Sequence, residues 1–218
     1  MIKAVLFDLD GTIINSEEGI TKCVQYALSS FGIEEPDRKK LLCFIGPPLD
    51  PVFREKYGFD VDKAWQAVLK YRERFDKTGI FECELYEGVA DTIRKLKEAG
   101  CVIALASSKP ETACRRILEH FSLTSYFDEI VGSTLDGSIS TKQQVLEELG
   151  RRMEHMQITK DQMCLIGDTE YDVTGANQFG IRCVGVSYGF GKREQLERAG
   201  AYCVCDNMAE VVDALQQM

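Results

Sequence analysis

Histidine is almost missing from this chain of 218 residues. The two present, His120 and His155, stand at no ligand spacing from a cysteine pair, which excludes the usual structural zinc sites and leaves both as surface residues of helices. No apolar run approaches the length needed to cross a bilayer, so no membrane partner is expected. Nor does a basic region with an apolar stretch precede the first strand, and the expected location is cytoplasmic. Positive charge is in deficit: 26 lysines and arginines face 35 acids, a formal net charge of -9. A protein that neutralises a phosphate backbone carries a basic face, so a nucleic-acid polymer is not an expected partner. An anionic small molecule would need a metal or a few placed lysines to offset the field locally. The nine cysteines lack framework spacing. Apart from Cys203-x-Cys205 they are scattered singly, and an odd count of this kind points to free thiols in a reducing compartment. Repeats and low-complexity segments are absent too.

What is present is an ordinary globular balance, 44% hydrophobic and 28% charged, long enough for one core or a core with a smaller insertion. The chain is organised around Lys3 to Thr12. Ala4 to Phe7 is an apolar run that predicts a strand buried on both faces, and it stops at Asp8-Leu9-Asp10-Gly11. Ligands of open α/β sheets bind at this end of the strands. Carboxylates two residues apart in an extended segment project to one side and repel unless a cation or a shared proton intervenes, which makes a metal the natural answer.

From Ser16 to about Glu82 the pattern is helical. Ser16 is placed to cap a helix with Glu17 and Glu18 in its first turn and a stripe of Ile20, Val24, Ala27 and Phe31. Leu41, Leu42 and Ile45 lead into a Gly46-Pro47-Pro48 break, a further helix starts near Leu49, and Val61, Ala64, Val68, Tyr71 and Phe75 recur at helical spacing as packing residues. From Glu87 onward helices alternate with apolar runs at 101–106, 129–131, 163–166, 182–186 and 202–204. That order predicts an α/β fold, a doubly wound parallel sheet with right-handed crossovers. The expected division is a catalytic core over 1–15 and 83–218 and an inserted all-helical cap over 16–82. Leu135-Asp136-Gly137-Ser138 echoes the first strand end but closes no apolar run, and reads as a turn.

Four places after strands carry chemically useful groups: Asp8 and Asp10; Ser107 and Ser108; Lys142 at a helix start; Asp168 and Asp172. A parallel sheet gathers its C-terminal strand ends on one edge, so these residues can converge. Asp168 and Asp172, four apart, are expected on one face of a helical turn. Acids around a common centre suit Mg²⁺, a hard cation that takes oxygen ligands.

In these motifs the chain resembles the haloacid dehalogenase-like hydrolases. Asp8-Leu9-Asp10-Gly11-Thr12 matches the first motif of that family, Ser107 the second, Lys142 the third and Gly167-Asp168-x-x-x-Asp172 the fourth. Within it, Phe44 to Leu49 and Leu105 to Pro110 are similar to phosphoglycolate phosphatase-like and 5′-nucleotidase-like members. The resemblance implies a Rossmann-like core and a Mg²⁺-dependent phosphatase of small phosphate monoesters, such as phosphoglycolate or a nucleoside 5′-monophosphate. Asp8 would be the nucleophile, forming an aspartyl phosphate, and Asp10 the acid and base. Asp8, the Asp10 carbonyl and Asp168 would hold the metal, with Asp172 bound to it directly or through an intervening group, and Ser107, Ser108 and Lys142 would hold the phosphoryl group. Ile45 to Leu49 would be a substrate-facing loop or a plain interhelical turn. Two alternatives keep the same motifs: a sugar-phosphate mutase, and a binding or regulatory protein without turnover. An NAD-binding protein is disfavoured because the first strand does not run into Gly-x-Gly-x-x-Gly.

Overall fold

The computed structural model describes residues 1–218. Ala4–Phe7 (β1) is buried at every position, as a strand covered on both faces must be. The chain divides into two compact units, Met1–Ile14 with Leu85–Met218, and Asn15–Glu84. The two-residue strands Ile14–Asn15 (β2) and Glu84–Leu85 (β3) lie where it passes from one unit to the other.

In the first unit Val102–Pro110 (β4), Glu129–Ser133 (β5), Met163–Gly167 (β6), Arg182–Val186 (β7) and Cys203–Cys205 (β8) join β1 in a six-stranded sheet. Its order is β5-β4-β1-β6-β7-β8, with every pairing parallel. The order runs outward from β1 in both directions, which places a topological switch point beside the first strand. Helices Lys142–Met153, Glu170–Phe179 and Arg193–Ala199 pack Val145, Leu146, Leu149, Val173, Ala176 and Leu196 against Ala4, Leu6, Ala104, Ala106 and Leu165 of one sheet face. Val5 and Phe7 alternate to the other face and are equally buried. All nine cysteines are free. No helix is long and apolar enough to cross a membrane.

The second unit holds helices Glu17–Ser29 (α1), Leu49–Tyr57 (α2) and Val61–Phe75 (α3) with 3₁₀ turns between them. Its interior is aromatic: Phe53 lies 4.7 Å from Phe44 and stacks 6.1 Å from Phe59, and Tyr71 stacks 5.4 Å from Phe75. Gly19 and Gly79 let the start of α1 lie against the backbone near Glu82, where a Cβ would collide.

Several local expectations change. Ser16 sits at the cap position of α1 but its hydroxyl is buried without a partner; the Asn15 side chain accepts the Glu17 N–H instead, at 3.1 Å. Phe31 lies beyond the end of α1 and Val61, at the first turn of α3, is exposed, because a periodic pattern marks a face without saying where the covering neighbours stop. His155 lies in a 3₁₀ turn, Glu154–Met156, not in an α-helix. β4 runs on through Ser107, Ser108 and Lys109 to Pro110, so these polar residues end the strand from within it. Ile45 is buried, while Gly46 and Pro48 are exposed.

Candidate active site

Register builds the site. Phe7 of β1 is level with Leu105 of β4 and Ile166 of β6, so the next residues, Asp8, Ala106 and Gly167, emerge side by side at one edge of the sheet. The Asp8 N–H donates to the Ile166 carbonyl at 2.9 Å, which carries the strand pairing one residue into the site.

Lys142 reaches this edge from the first turn of its helix, which Thr141 and Gln144 close with a reciprocal capping box. Its ammonium has three acceptors: the Ala106 carbonyl at 2.6 Å, Asp8 Oδ1 at 2.7 Å and Asp172 Oδ1 at 2.8 Å. An ammonium has three protons, so this set satisfies it. Gly175 is what allows the approach, since a Cβ there would press into the Lys142 side chain. Burial works against the ammonium, but the carboxylates of Asp172 and Asp8 outweigh it and hold Lys142 above its ordinary pKa.

Asp8, Asp168 and Asp172 are all buried, with carboxylate oxygens within 4.8 Å of one another. Burial pushes the Asp8 carboxyl up to about 6; Lys142 opposes this, and the charges of Asp172 and Asp10 add to it. Asp168 is raised well above the ordinary carboxylate range, by burial first and then by Asp172 and Asp8. It accepts from the Phe190 N–H at 2.8 Å and from the Thr12 hydroxyl at 3.3 Å.

Asp168 and Asp172 do not share a helical turn. Asp168 precedes the helix Glu170–Phe179, and Asp172 is its third residue, one oxygen taking the N–H and hydroxyl of Thr169 at 3.0 and 2.7 Å. The other oxygen takes Lys142, so Asp172 orients that lysine as well as adding charge to the cluster. Asp10 does not face the other three. Its carboxylate turns to Lys109, whose ammonium lies 2.9 and 2.7 Å from its two oxygens. Ser107 is buried beside this pair in sequence and its hydroxyl accepts the Lys109 N–H at 3.4 Å; Ser108 is half-buried and makes no hydrogen bond to the acids.

Of the groups that shape the cradle, Gly11 stands in the first motif, whereas Lys109, Tyr188, Gly189 and Gly191 stand in none. Gly11, with φ +83°, and Gly189 leave the space the Asp168 carboxylate occupies; a Cβ on either would overlap it, and one on Gly191 would overlap the Asp168 backbone. The Tyr188 hydroxyl donates to the Thr12 carbonyl at 2.9 Å and ties this glycine loop to the first motif. The signal available was Gly189-Phe190-Gly191 after a strand, a mark of close backbone approach.

The donor set suits a metal. Three buried carboxylates with one lysine among them leave excess negative charge, and their oxygens are the ligands a hard divalent cation takes. Each of the three could offer a carboxylate oxygen to it.

Comparison with known proteins gives the family. The family described as haloacid dehalogenase-like hydrolase matches residues 5–186. A 5′-nucleotidase of Pseudomonas aeruginosa is 39% identical over 212 residues, 97% of this chain and 95% of its own. Tyrosine-protein kinase PtkA of Mycobacterium tuberculosis is 30% identical over 213 residues, 98% of this chain and 71% of its own. Among solved structures, a predicted phosphatase from Clostridium acetobutylicum is 43% identical and superposes with a TM-score of 0.93 over 100% of both chains. With the first strand, the lysine and the acidic cluster all inside the matched span, the chain belongs to the haloacid dehalogenase-like hydrolases and is a phosphatase of that family.

Proposed function

We propose that this phosphatase hydrolyses small phosphate monoesters, of the phosphoglycolate or nucleoside 5′-monophosphate type, with Mg²⁺ and through an aspartyl phosphate on Asp8. The observation that carries the reading is the placing of Asp8: at the end of the central strand, 2.7 Å from a buried lysine and among two further buried carboxylates. Asp8 and Asp168 would hold Mg²⁺, with the main-chain carbonyl of Asp10. When bound, the ion supplies positive charge against the phosphoryl oxygens, which the chain's own excess of acids cannot.

Asp8 attacks phosphorus in line, which splits one difficult displacement into two easier ones. Lys142, held by Asp172 and the Ala106 carbonyl, keeps the nucleophile's carboxylate oriented and offsets its charge. Ser107 and Ser108, at the neighbouring strand end, donate to phosphoryl oxygens in this reading. Asp10 gives a proton to the leaving alcohol and then takes one from water.

The test is phosphate release from a panel of monoesters, including phosphoglycolate, nucleoside 5′-monophosphates, sugar phosphates and an aryl phosphate, with chelator and with Mg²⁺ restored. Activity lost to chelator and regained with Mg²⁺ is expected; full activity in excess chelator would remove the metal. Isotope transferred to a sugar phosphate or to a protein tyrosine, with no free phosphate, would make the acceptor something other than water.

A further inference from the structure

Of the three clustered acids, Asp168 is held by neutral donors. Asp8 and Asp172 each take the Lys142 ammonium, whereas Asp168 accepts the Thr12 hydroxyl on Oδ1 at 3.3 Å and the Phe190 N–H on Oδ2 at 2.8 Å. One donor on each oxygen fixes the plane of the carboxylate and leaves a lone pair on each for a ligand. Neither donor carries a charge to offset the carboxylate's. The two come from different places, the first motif and the loop that follows β7, and the Tyr188 hydroxyl joins them by donating to the Thr12 carbonyl at 2.9 Å. Thr12, Tyr188, Phe190 and Asp168 thus close a ring of contacts. Gly189 lets that ring be tight, since a Cβ there would stand 2.4 Å from both the Asp168 Cβ and the Gly11 carbonyl oxygen. The loop is anchored separately at its start. There the Ser187 N–H and hydroxyl both donate to the Cys205 carbonyl, at 2.9 and 3.3 Å, and the hydroxyl also meets the Asp206 carboxylate.

We propose that Tyr188 is a positioning residue for the metal: through Thr12 and the Phe190 N–H it sets the direction in which the Asp168 carboxylate presents its oxygens to a divalent cation. The inference rests on the reading of Asp168 as a ligand of that cation. Tyr188 acts through other groups, because its hydroxyl proton is given to Thr12. Buried carboxylates repel one another, and neighbours that hold them in place spare the ion the work of gathering them. A tyrosine that only filled space would stabilise the fold equally with and without metal. One that orients a ligand also changes the affinity for the ion.

Calorimetric titration of Mg²⁺ into the metal-free protein, without substrate, tests this. Tyr188→Phe keeps the ring and removes only the hydroxyl; it should weaken Mg²⁺ binding about tenfold, the lower end for lost partners of metal ligands. Gly189→Ala presses on the Asp168 carboxylate directly and should weaken it more. Ser187→Ala loosens the same loop at a point that does not lead to Asp168, and should keep the wild-type affinity. In turnover of an aryl phosphate, the Tyr188→Phe defect should lie in the Mg²⁺ concentration needed for half activity and shrink as Mg²⁺ is raised. Melting curves of the metal-free variants separate lost folding from lost affinity. Wild-type affinity in Tyr188→Phe, or an equal loss in Ser187→Ala, would make the tyrosine a structural residue and overturn the inference while the metal reading stands. Undiminished binding in Asp168→Asn, or no Mg²⁺ binding by the wild type, would overturn the reading of Asp168 as a ligand and the inference with it.

Discussion

The two units of this chain handle charge in opposite ways. The helical unit buries rings, Phe44, Phe53, Tyr71 and Phe75, and leaves the ion pair of Arg74 with Glu82 part-exposed, both side chains about a fifth exposed. The sheet unit does the reverse at one edge, where Asp8, Asp168, Asp172 and Lys142 are all buried. An aromatic interior is complete by itself. Three carboxylates against one lysine are not, and the raised pKa values of Asp8 and Asp168 record the cost. Stability thus resides in the apolar parts of both units, and the acidic edge is maintained against it for chemistry.

The sharpest way to break this contrast is Asp8→Asn, which should lower turnover by more than about 10³-fold, as loss of a nucleophile does. Rapid-quench analysis should find no phosphoenzyme. A variant that kept its rate would make the buried acid a structural residue like any other.

Phe53→Ala tests the opposite side. Phe53 is fully buried between Phe44 and Phe59, and its truncation should cost about 3–5 kcal/mol in denaturant unfolding. Binding of Mg²⁺ to the folded protein, followed by calorimetry, should be unaffected. Weakened metal binding would show that the two kinds of interior are not independent.

The third test uses pH without metal. Asp8 has its carboxyl raised from 3.8 to about 6, so the native state binds its proton more tightly than the unfolded chain does. The stability this gives is complete below about pH 4 and is lost as pH rises through about 6, up to about 3 kcal/mol for a shift of this size. Metal-free wild type should therefore melt lower at pH 7.5 than Asp8→Asn does, and the gap should close toward pH 4. Added Mg²⁺ should raise the wild type alone. No gap at pH 7.5 would mean that Lys142 fully compensates the cluster.

The smallest effect belongs to the helical unit's part-exposed ion pair. Arg74 and, next, Lys22 hold Glu82 below its ordinary pKa, against the opposing effect of burial, so its contribution is present at neutral pH and fades as pH falls through the lowered value. Glu82→Gln should cost about 1 kcal/mol at pH 7, the range of a part-exposed pair. It should leave phosphate release unchanged. A loss several times larger would place buried charge in this unit too.

The amino-acid order alone determined the parallel sheet. Ala4 to Phe7, Met163 to Ile166 and Arg182 to Val186 are runs of strand length, bounded by turn residues and separated by amphipathic helices, and local periodicity carries that information. It also named the strand ends where acids and a lysine stand, since motif spacing is a property of the chain. What periodicity cannot carry is which side chain meets which across long sequence distances. Only the tertiary structure decided that Lys142 divides itself between Asp8 and Asp172, that Asp10 turns away to Lys109, and that Gly11 and Gly189 clear the space for Asp168. The physical reason is that strand register and close packing set those partners. A shift of one residue in β1 against β4 and β6 would move the whole edge, and nothing in the local pattern of either strand records the other.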